Sequence, residues 1–320
     1  MNYTVYKLHF PQGVHFGETK LESSQMTFQA DTLFAALAQE AVAQSAETLK
    51  KLVDYVEAGA LLFSDAFPYK GKEYFVPKPM VKPKVKTSVE DVAKRKRYKN
   101  LAYLPLSKLT DYLEGGEITK TDFGVPYLKT SACIEPGKDT VPYRIGTFYF
   151  GVRQEDTINA KPCVAADGEE VGLYVLLGYE DKKVKALTDE LMDALSCVGI
   201  GGRRSAGLGR FELYNGKFPA KGLERLQGEY QTYMNLSVAL PREEEMTGAV
   251  EGASFLLIKR SGFVASATYA SEPRRKQDTF AFKAGSCFRQ KFSGELRDVA
   301  TGGTHPVYRY LKPVFMGIET

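Results

Sequence analysis

One stretch of the sequence combines residue types that together suit the binding of a phosphate chain. Residues 199–210 read GIGGRRSAGLGR, with five glycines and three arginines in twelve positions. Glycine lets the backbone turn through positive φ and approach a ligand without a Cβ atom, and arginine presents a planar, permanently charged fork to phosphate. We expect this segment, the glycine loop, to hold an RNA backbone through its main-chain amides and its arginines.

The surroundings of the glycine loop along the chain argue against a compact nucleotide site. A Walker loop places a lysine where this chain has Leu208. A dinucleotide fingerprint follows a strand and opens a helix, whereas this loop follows a predicted helix, whose carbonyl end repels phosphate. Affinity for an anion must then come from loop amides and arginines, which favours an extended RNA backbone. The candidate RNA-binding residues of the loop are Gly199, Gly201, Gly202, Arg203, Arg204, Ser205, Gly207, Gly209 and Arg210.

A simpler interpretation of the glycine loop stays open. The glycines could serve only a tight connection between a helix and a strand, with the loop packed against protein. In that case the chain would have a purely architectural role.

A basic run provides a second candidate surface for a polyanion. The chain has a net charge of +4, which by itself does not indicate nucleic-acid binding. Residues 78–99, however, hold nine Lys or Arg and only two acids, Glu90 and Asp91. Such a bias attracts polyanions, although it is equally typical of a solvated surface. The candidate RNA-binding residues of this run are Lys78, Lys82 and Lys84.

Composition excludes several other classes of protein. Hydrophobic residues make up 43% of the chain and charged residues 26%, as in ordinary globular proteins. The four cysteines lie too far apart along the chain for a zinc motif or a disulfide scaffold. The N-terminus lacks the pattern of a signal peptide, and no apolar run reaches the length of a membrane span. We expect a cytoplasmic protein with no cofactor and no membrane contact.

Hydrophobic periodicity predicts an α+β fold. A strand at Tyr3–Phe10 is followed by helices starting at Asp31 and spanning Leu49–Val56, and by a short strand at 60–63. After a proline-rich, irregular insertion at about 66–145, strands at 146–152 and 172–179 lead to a helix that Asp181 caps, the glycine loop and a strand at 210–214. This order matches the β-α-β-β-α-β plan of a ferredoxin-like or RRM-like domain.

The prediction therefore divides the chain into two domains. Residues 1–219 form the RRM-like domain with its insertion, and residues 220–320 form a second, degenerate RRM-like domain rich in strands. A basic turn at Arg274-Arg275-Lys276 leads there into a strand, and it could face RNA, another protein or solvent. The strand candidates of the second domain are Thr232–Leu240, Ser254–Arg260, Thr279–Phe282 and Val314–Ile318.

The motifs also resemble those of a known family. GIGGRRSAGLGRFE is similar to the glycine-rich loop of the RAMP superfamily, the RRM-like proteins of CRISPR effector complexes. Segments across the rest of the chain resemble one family within it, the fourth subunit of the type III-A Csm complex. These segments are VHFG at 14–17, DTLFAAL at 31–37, FVPKP at 75–79, LAYLPL at 101–106 and HPVYRY at 305–310.

The resemblance implies a non-catalytic role in antiviral defence. Members of that family cap the crRNA at its 5′ tag and join the large polymerase-like subunit to the backbone RAMP subunit. The implied partners are thus the crRNA and these two proteins.

Proteins that bind single-stranded RNA commonly offer aromatic rings on which its bases stack. The candidate rings outside the periodic elements are Phe16, Tyr98, Tyr103 and Tyr143.

One histidine supports an alternative function. His15, beside Phe16, lies in a glycine-rich turn and is expected to contact the RNA or an interface. Metal-independent crRNA-processing endoribonucleases of the same superfamily often use a histidine as general acid or base. Such an enzyme, with His15 in that role, is the alternative that the sequence leaves open.

Overall fold

The first strand lies near one edge of the largest sheet and is buried on both faces. β1 (Asn2–His9) places Tyr6 and Leu8 in one hydrophobic cluster and Val5 in another. The structure, a computed structural model, describes residues 1–17, 20–84, 96, 98–137, 139–152, 162–266 and 268–319. Within them the fold is mixed α+β, and its strands pair antiparallel.

Besides β1, the largest sheet contains six strands, which are β2 (Leu61–Phe63), β3 (Phe67–Lys70), β4 (Glu73–Pro77), β5 (Tyr103–Pro105), β8 (Val171–Tyr179) and β9 (Glu212–Gly216). The strand order is β5-β4-β3-β8-β1-β9, and β2 also pairs with β8. The central strand β8 is buried along nearly its whole length, as the apolar sequence VGLYVLLGY predicts for a strand covered on both faces.

Three helices cover one face of this sheet. They are α1 (Ala30–Gln44), α2 (Ala46–Glu57) and α4 (Lys182–Val198). Their predicted apolar stripes are buried, with Leu33 and Leu37 of α1 and Leu195 of α4 in the same cluster as β1. The carboxylate of Asp181 accepts hydrogen bonds from the amides of Lys183 and Val184, which confirms the predicted cap.

The predicted cap of α1 was wrong. Asp31 lies inside the first turn of the helix, where its carboxylate forms a bidentate ion pair with Arg260. The amide of Ala30 instead donates to Oδ1 of Asp65, at 2.8 Å, from the end of a neighbouring strand. A cap supplied from a distant part of the chain leaves no local pattern in the sequence.

The insertion was expected to be irregular, and this was wrong for most of its described residues. β3, β4 and β5 extend the large sheet, and the short helix α3 (Leu109–Leu113) follows a 3-10 turn at Leu106–Lys108. A long hairpin then stands apart from this sheet. It consists of β6 (Gly124–Cys133) and β7 (Val141–Phe150), so the strand expected at 146–152 is the end of β7 and pairs with β6.

The C-terminal part contains short strands in small sheets. Its elements are α5 (Ala220–Gln227), β10 (Thr232–Asn235), a 3-10 turn at Glu243–Glu245, α6 (Met246–Val250), β11 (Leu257–Arg260), β12 (Thr279–Phe282), β13 (Cys287–Phe288), β14 (Glu295–Asp298), β15 (Tyr308–Leu311) and β16 (Phe315–Ile318). β10 pairs with both β13 and β16, β11 with β12, and β14 with β15. The strand expected at Thr232–Leu240 ends at Asn235.

The N-terminal and C-terminal parts share a core. Val238, Tyr310 and Leu311 belong to the same hydrophobic cluster as α1 and β1. The fully buried Asp65 joins the two parts, because its Oδ1 accepts from the amide of Val238 as well as from that of Ala30, both at 2.8 Å. Burial raises the pKa of this carboxyl to about 7, although the two amide hydrogen bonds oppose the shift.

Asp65 should therefore make stability depend on pH. The folded protein retains a proton that the unfolded chain releases above about pH 4. As the pH rises from about 4 to 7, this group therefore lowers the free energy of unfolding by about 1.4 kcal/mol per pH unit. Asp65→Asn can accept the same two amide bonds and should remove this contribution. Urea denaturation at pH 5 and pH 7 gives the free energy of unfolding of both proteins. An equal change in this free energy between the two pH values in both proteins would contradict the assignment.

Candidate nucleic-acid interface

The glycine loop connects the end of α4 to β9 through a backbone that adopts positive φ at several positions. Gly199 ends the helix at φ +86°, and its amide donates to the carbonyl of Leu195 at 2.7 Å. A single 3-10 turn, Arg204–Ala206, lies at the tip of the loop. Positive φ angles occur at Gly199, Gly201, Arg203, Gly207 and Gly209.

Much of the main chain of the loop is hydrogen-bonded within the protein. The amide of Gly202 donates to the carbonyl of His15 at 2.9 Å, and that of Gly209 donates to Gly13 at 3.0 Å. The amides of Ile200 and Gly207 also donate to carbonyls of the loop. The expectation that loop amides clasp phosphate was wrong for these groups, because their hydrogen atoms are already committed.

Close packing explains why several of these positions are glycine. A Cβ atom at Gly209 would lie 2.1 Å from the carbonyl oxygen of Ile200, and one at Gly201 would lie 2.8 Å from that of His15. The same atom at Gly199 would meet the backbone of Gly209 at 2.8 Å. These glycines serve the tight connection between helix and strand that the sequence left open as an alternative.

The arginines of the loop, in contrast, remain available to bind a ligand. The guanidinium of Arg203 lies 5.3 Å from the ring centre of Tyr143, in a cation–π arrangement. Arg204 makes only a long contact, 3.5 Å, with the carbonyl of Gly199, and Arg210 is exposed, as is Ser205. In the part of the chain that the structure describes, no carboxylate forms an ion pair with any of the three.

His15 and Phe16 pack against the inner side of the glycine loop. The ring of His15 is 7% exposed, its Nδ1 lies 2.6 Å from the carbonyl oxygen of Gly146, and a Cβ atom at Gly202 would touch it. The ring of Phe16 packs between those of Phe10 and Phe28. The expected stacking role of Phe16 was therefore wrong, and both residues contact the loop from inside the protein.

The start of the basic run lies far from the glycine loop across the large sheet. Lys78 follows β4, which is four strands away from β9, or about 19 Å at the usual spacing between strands. Its ammonium donates to the carbonyl of Tyr98 at 2.8 Å, and burial, with the nearby charge of Lys283, lowers its pKa. Lys82 and Lys84 are exposed. Residues 85–95 and 97 of the run lie outside the described residues.

Two of the tyrosines proposed for stacking are engaged inside the protein. Tyr98 is buried, so its expected stacking role was wrong. The hydroxyl of Tyr103 lies 2.9 Å from that of Thr27, and burial raises the pKa of Tyr103 to about 12. Of the proposed rings, Tyr143 is the one that the structure places beside a loop arginine.

The hairpin that carries Tyr143 was not among the predicted elements. Most of β6 is exposed. Lys129 of β6 is exposed on the face of the hairpin that carries the pair Ser131–Tyr143, and Arg144 of β7 is exposed on the other face. Two runs of β-branched and aromatic residues flank a turn that contains Pro136 and Gly137, which is an ordinary hairpin signal. The prolines around it had favoured an irregular interpretation instead.

Other features of the structure lie away from this interface. A cavity of about 660 Å³ between α1, α2 and residues 264–266, 268 and 305–308 is mainly apolar and does not include the glycine loop. All four cysteines are free. Among the described residues, no cluster of His, Cys, Asp or Glu is suited to hold a metal ion, and no helix is both long and apolar enough to cross a membrane.

The architecture is that of an α+β protein built on antiparallel sheets, and solved structures of Csm assemblies have similar chains. A chain of the Csm3-Csm4 subcomplex of the type III-A CRISPR-Cas interference complex superposes with a TM-score of 0.67 at 16% identity, over 100% of both chains. A chain of the Csm1-Csm4 cassette in complex with pppApA gives a TM-score of 0.62 at 19% identity, over 99% of this chain and 98% of the other.

Sequence similarity to whole proteins is higher. The chain is 35% identical over 325 residues to the CRISPR system Cms protein Csm4 of Mycobacterium tuberculosis (strain ATCC 25618 / H37Rv), covering 99% of this chain and 98% of the relative. It is 32% identical to the Csm4 protein of Streptococcus thermophilus, over the full length of both. A family model of the CRISPR Csm4 C-terminal domain matches residues 228–318. The chain therefore belongs to the Csm4 family.

The packing of the glycine loop makes a stability prediction. Gly207 and Gly209 both have positive φ, but a Cβ atom at Gly207 would meet nothing within 4 Å. Gly207→Ala should cost about 1 kcal/mol through backbone strain alone. Gly209→Ala should cost several kcal/mol more, because the new methyl group would collide with the carbonyl of Ile200. Denaturant unfolding of the two variants measures this, and equal losses would contradict the packing.

Proposed function

We propose that this chain is a non-catalytic RNA-binding subunit of a type III-A CRISPR Csm effector complex. It holds the 5′ tag of the crRNA and links the large polymerase-like subunit to the backbone subunits. The observation that carries the proposal is the group of loop arginines, Arg203, Arg204 and Arg210, which have no carboxylate partner among the described residues while one of them stacks on Tyr143. The cytoplasm is the compartment in which this subunit would meet its RNA.

The chemistry of this group matches single-stranded RNA. Guanidinium groups bind successive phosphates, and an aromatic ring beside them offers a surface for an unstacked base. The exposed side chain of Lys129 lies on the same face of the β6–β7 hairpin as Tyr143 and extends the positive surface from the loop. Because the loop backbone is fixed by its own hydrogen bonds, the arginines project from a preorganised support.

The topology of the large sheet supports an RRM-like N-terminal domain. Four of its strands follow the order β9-β1-β8-β2, with α1 and α4 packed on the same core. These elements occur along the chain as β1, α1, β2, β8, α4 and β9, which is the expected β-α-β-β-α-β sequence. The small sheets after residue 219 are proposed to be a degenerate second copy.

The proposed protein partners rest on the relatives. The solved structures with a similar fold are named as Csm1-Csm4 and Csm3-Csm4 assemblies. We assign this chain the corresponding contacts, with a large Csm1-type subunit and a backbone Csm3-type subunit. It would thus occupy the end of the filament at which the RNA tag emerges.

Removing two loop arginines tests the RNA-binding role. Arg203→Ala/Arg204→Ala should weaken binding of single-stranded tag RNA at every sequence, because phosphate contacts do not read bases. The slope of log affinity against log salt should fall by up to about 1.4, the value for two phosphate contacts on a single strand. Filter binding across a salt series measures both effects.

Two surface lysines provide a matched control. Lys182→Ala/Lys183→Ala removes the same charge from exposed positions at the start of α4 and should change the affinity and the slope much less. If the two double variants behave alike, the glycine loop is not the RNA contact.

The non-catalytic assignment has its own test. Incubation of the purified protein with repeat RNA in the absence of metal should leave the RNA intact, because the ring of His15 is packed under the glycine loop. Gel analysis of end-labelled RNA would show cleavage. Site-specific products that disappear in His15→Ala would contradict the proposal and favour the endoribonuclease.

A further inference from the structure

A ribbon in the C-terminal part carries a concentration of exposed apolar side chains. They are 39 to 60% exposed, whereas large apolar residues in a globular protein are mostly buried. Contiguous exposed patches of this kind, rimmed by polar residues, mark interaction sites. The residues of this apolar patch are Phe255, Leu256, Leu257, Phe263 and Phe280.

Strand register places three of these side chains on one surface. Leu257 lies opposite the buried Phe282, and Lys259 lies opposite Phe280, so Leu257 and Phe280 are diagonal neighbours on one face. Phe255 extends this row, and its ring packs 4.7 Å from that of Phe282, centre to centre. The patch is therefore anchored in the core beneath it and presents a fixed surface.

The ribbon also has an open edge. β11 pairs with β12 on one side, and no strand within the described residues pairs with its other side. An unpaired strand edge presents backbone N–H and C=O groups with which another chain can pair. A partner that covers both the edge and the side chains would remove this liability.

Three cations that are unpaired among the described residues lie on the segments next to the patch, whereas Lys259 on its face is paired with Asp278. Arg274, Arg275 and Lys283 are exposed, and in the described part of the chain none of them forms an ion pair. The guanidinium of Arg275 lies 5.7 Å from the ring centre of Phe263. Arg274 and Arg275 belong to the basic turn, whose role the sequence left open, and Lys283 follows β12. Their charge favours a partner that carries carboxylates around an apolar centre.

We propose that the apolar patch docks a protein subunit whose contact surface has an apolar centre and an acidic rim. The inference rests on the proposed function, since it assumes that this chain is an assembly subunit, and it names the surface that the assembly uses. Protein is favoured over RNA because Leu257 offers no plane on which a base could stack, and because the unpaired edge of β11 can form backbone hydrogen bonds with another polypeptide.

Photocrosslinking within the assembled complex tests this assignment directly. A photoreactive phenylalanine analogue in place of Leu257 should yield a covalent adduct with another protein subunit. The same analogue in place of Val42, which is similarly exposed on α1, is the matched control and should yield much less. An adduct with the crRNA alone, no adduct, or equal yields at the two positions would overturn the proposal.

Charge-introducing variants measure the contribution of the patch. Leu257→Glu/Phe280→Glu should reduce the amount of the contacting subunit that co-purifies with this chain at least about tenfold, which corresponds to 1.4 kcal/mol. Arg274→Glu/Arg275→Glu should weaken the same contact and make it less sensitive to salt. If the first pair fails to fold, as judged by the Tm, Leu257→Ser/Phe280→Ser removes the apolar area without adding charge.

RNA binding separates this inference from the proposed function. The patch variants should retain the affinity of the isolated chain for tag RNA. A loss of RNA affinity with assembly intact, or unchanged assembly, would overturn the docking proposal. If Arg203→Ala/Arg204→Ala leaves RNA binding unchanged while the patch variants lose the partner, the RNA-binding role fails and the docking surface stands.

Discussion

The glycine loop is tied to the segment after β1 by main-chain hydrogen bonds, and this constraint decides which chemistry remains at its surface. Gly202 and Gly209 donate to His15 and Gly13, and His15 in turn reaches Gly146 on the β6–β7 hairpin. Three distant parts of the chain thus meet under the loop. What the loop can offer to a ligand is its set of guanidinium groups, held on a backbone that has little freedom to move.

The sequence was informative where the determinants are local. The helix at Lys182–Val198, its cap at Asp181 and the positive φ of Gly199 follow from neighbouring residues, and all three are found in the structure. The family was correctly inferred from short motifs spread along the chain. The position of the arginines beside a left-handed turn could also be deduced from glycine spacing.

Where the determinants are distant, the sequence was misleading. Pro68, Pro77 and Pro105 lie within or at the end of strands of the large sheet, and proline in a sequence ordinarily argues against a strand. The carbonyls that accept from the amides of Gly202 and Gly209 belong to His15 and Gly13, at the other end of the N-terminal part, so no local pattern could show that these two amides were occupied. Asp65 illustrates the same limit, because one carboxyl oxygen serves both α1 and the C-terminal part, and only the folded chain brings these together.

Arg203 occupies a backbone conformation that its residue type disfavours. Its φ is +60° and its ψ is +29°, a region that costs a non-glycine residue about 1 kcal/mol or more. Glycine or asparagine would relieve this strain. A selection for heat resistance alone, with no demand on the complex, would therefore drive this position away from arginine, and the protein would gain robustness while losing one of its three loop cations.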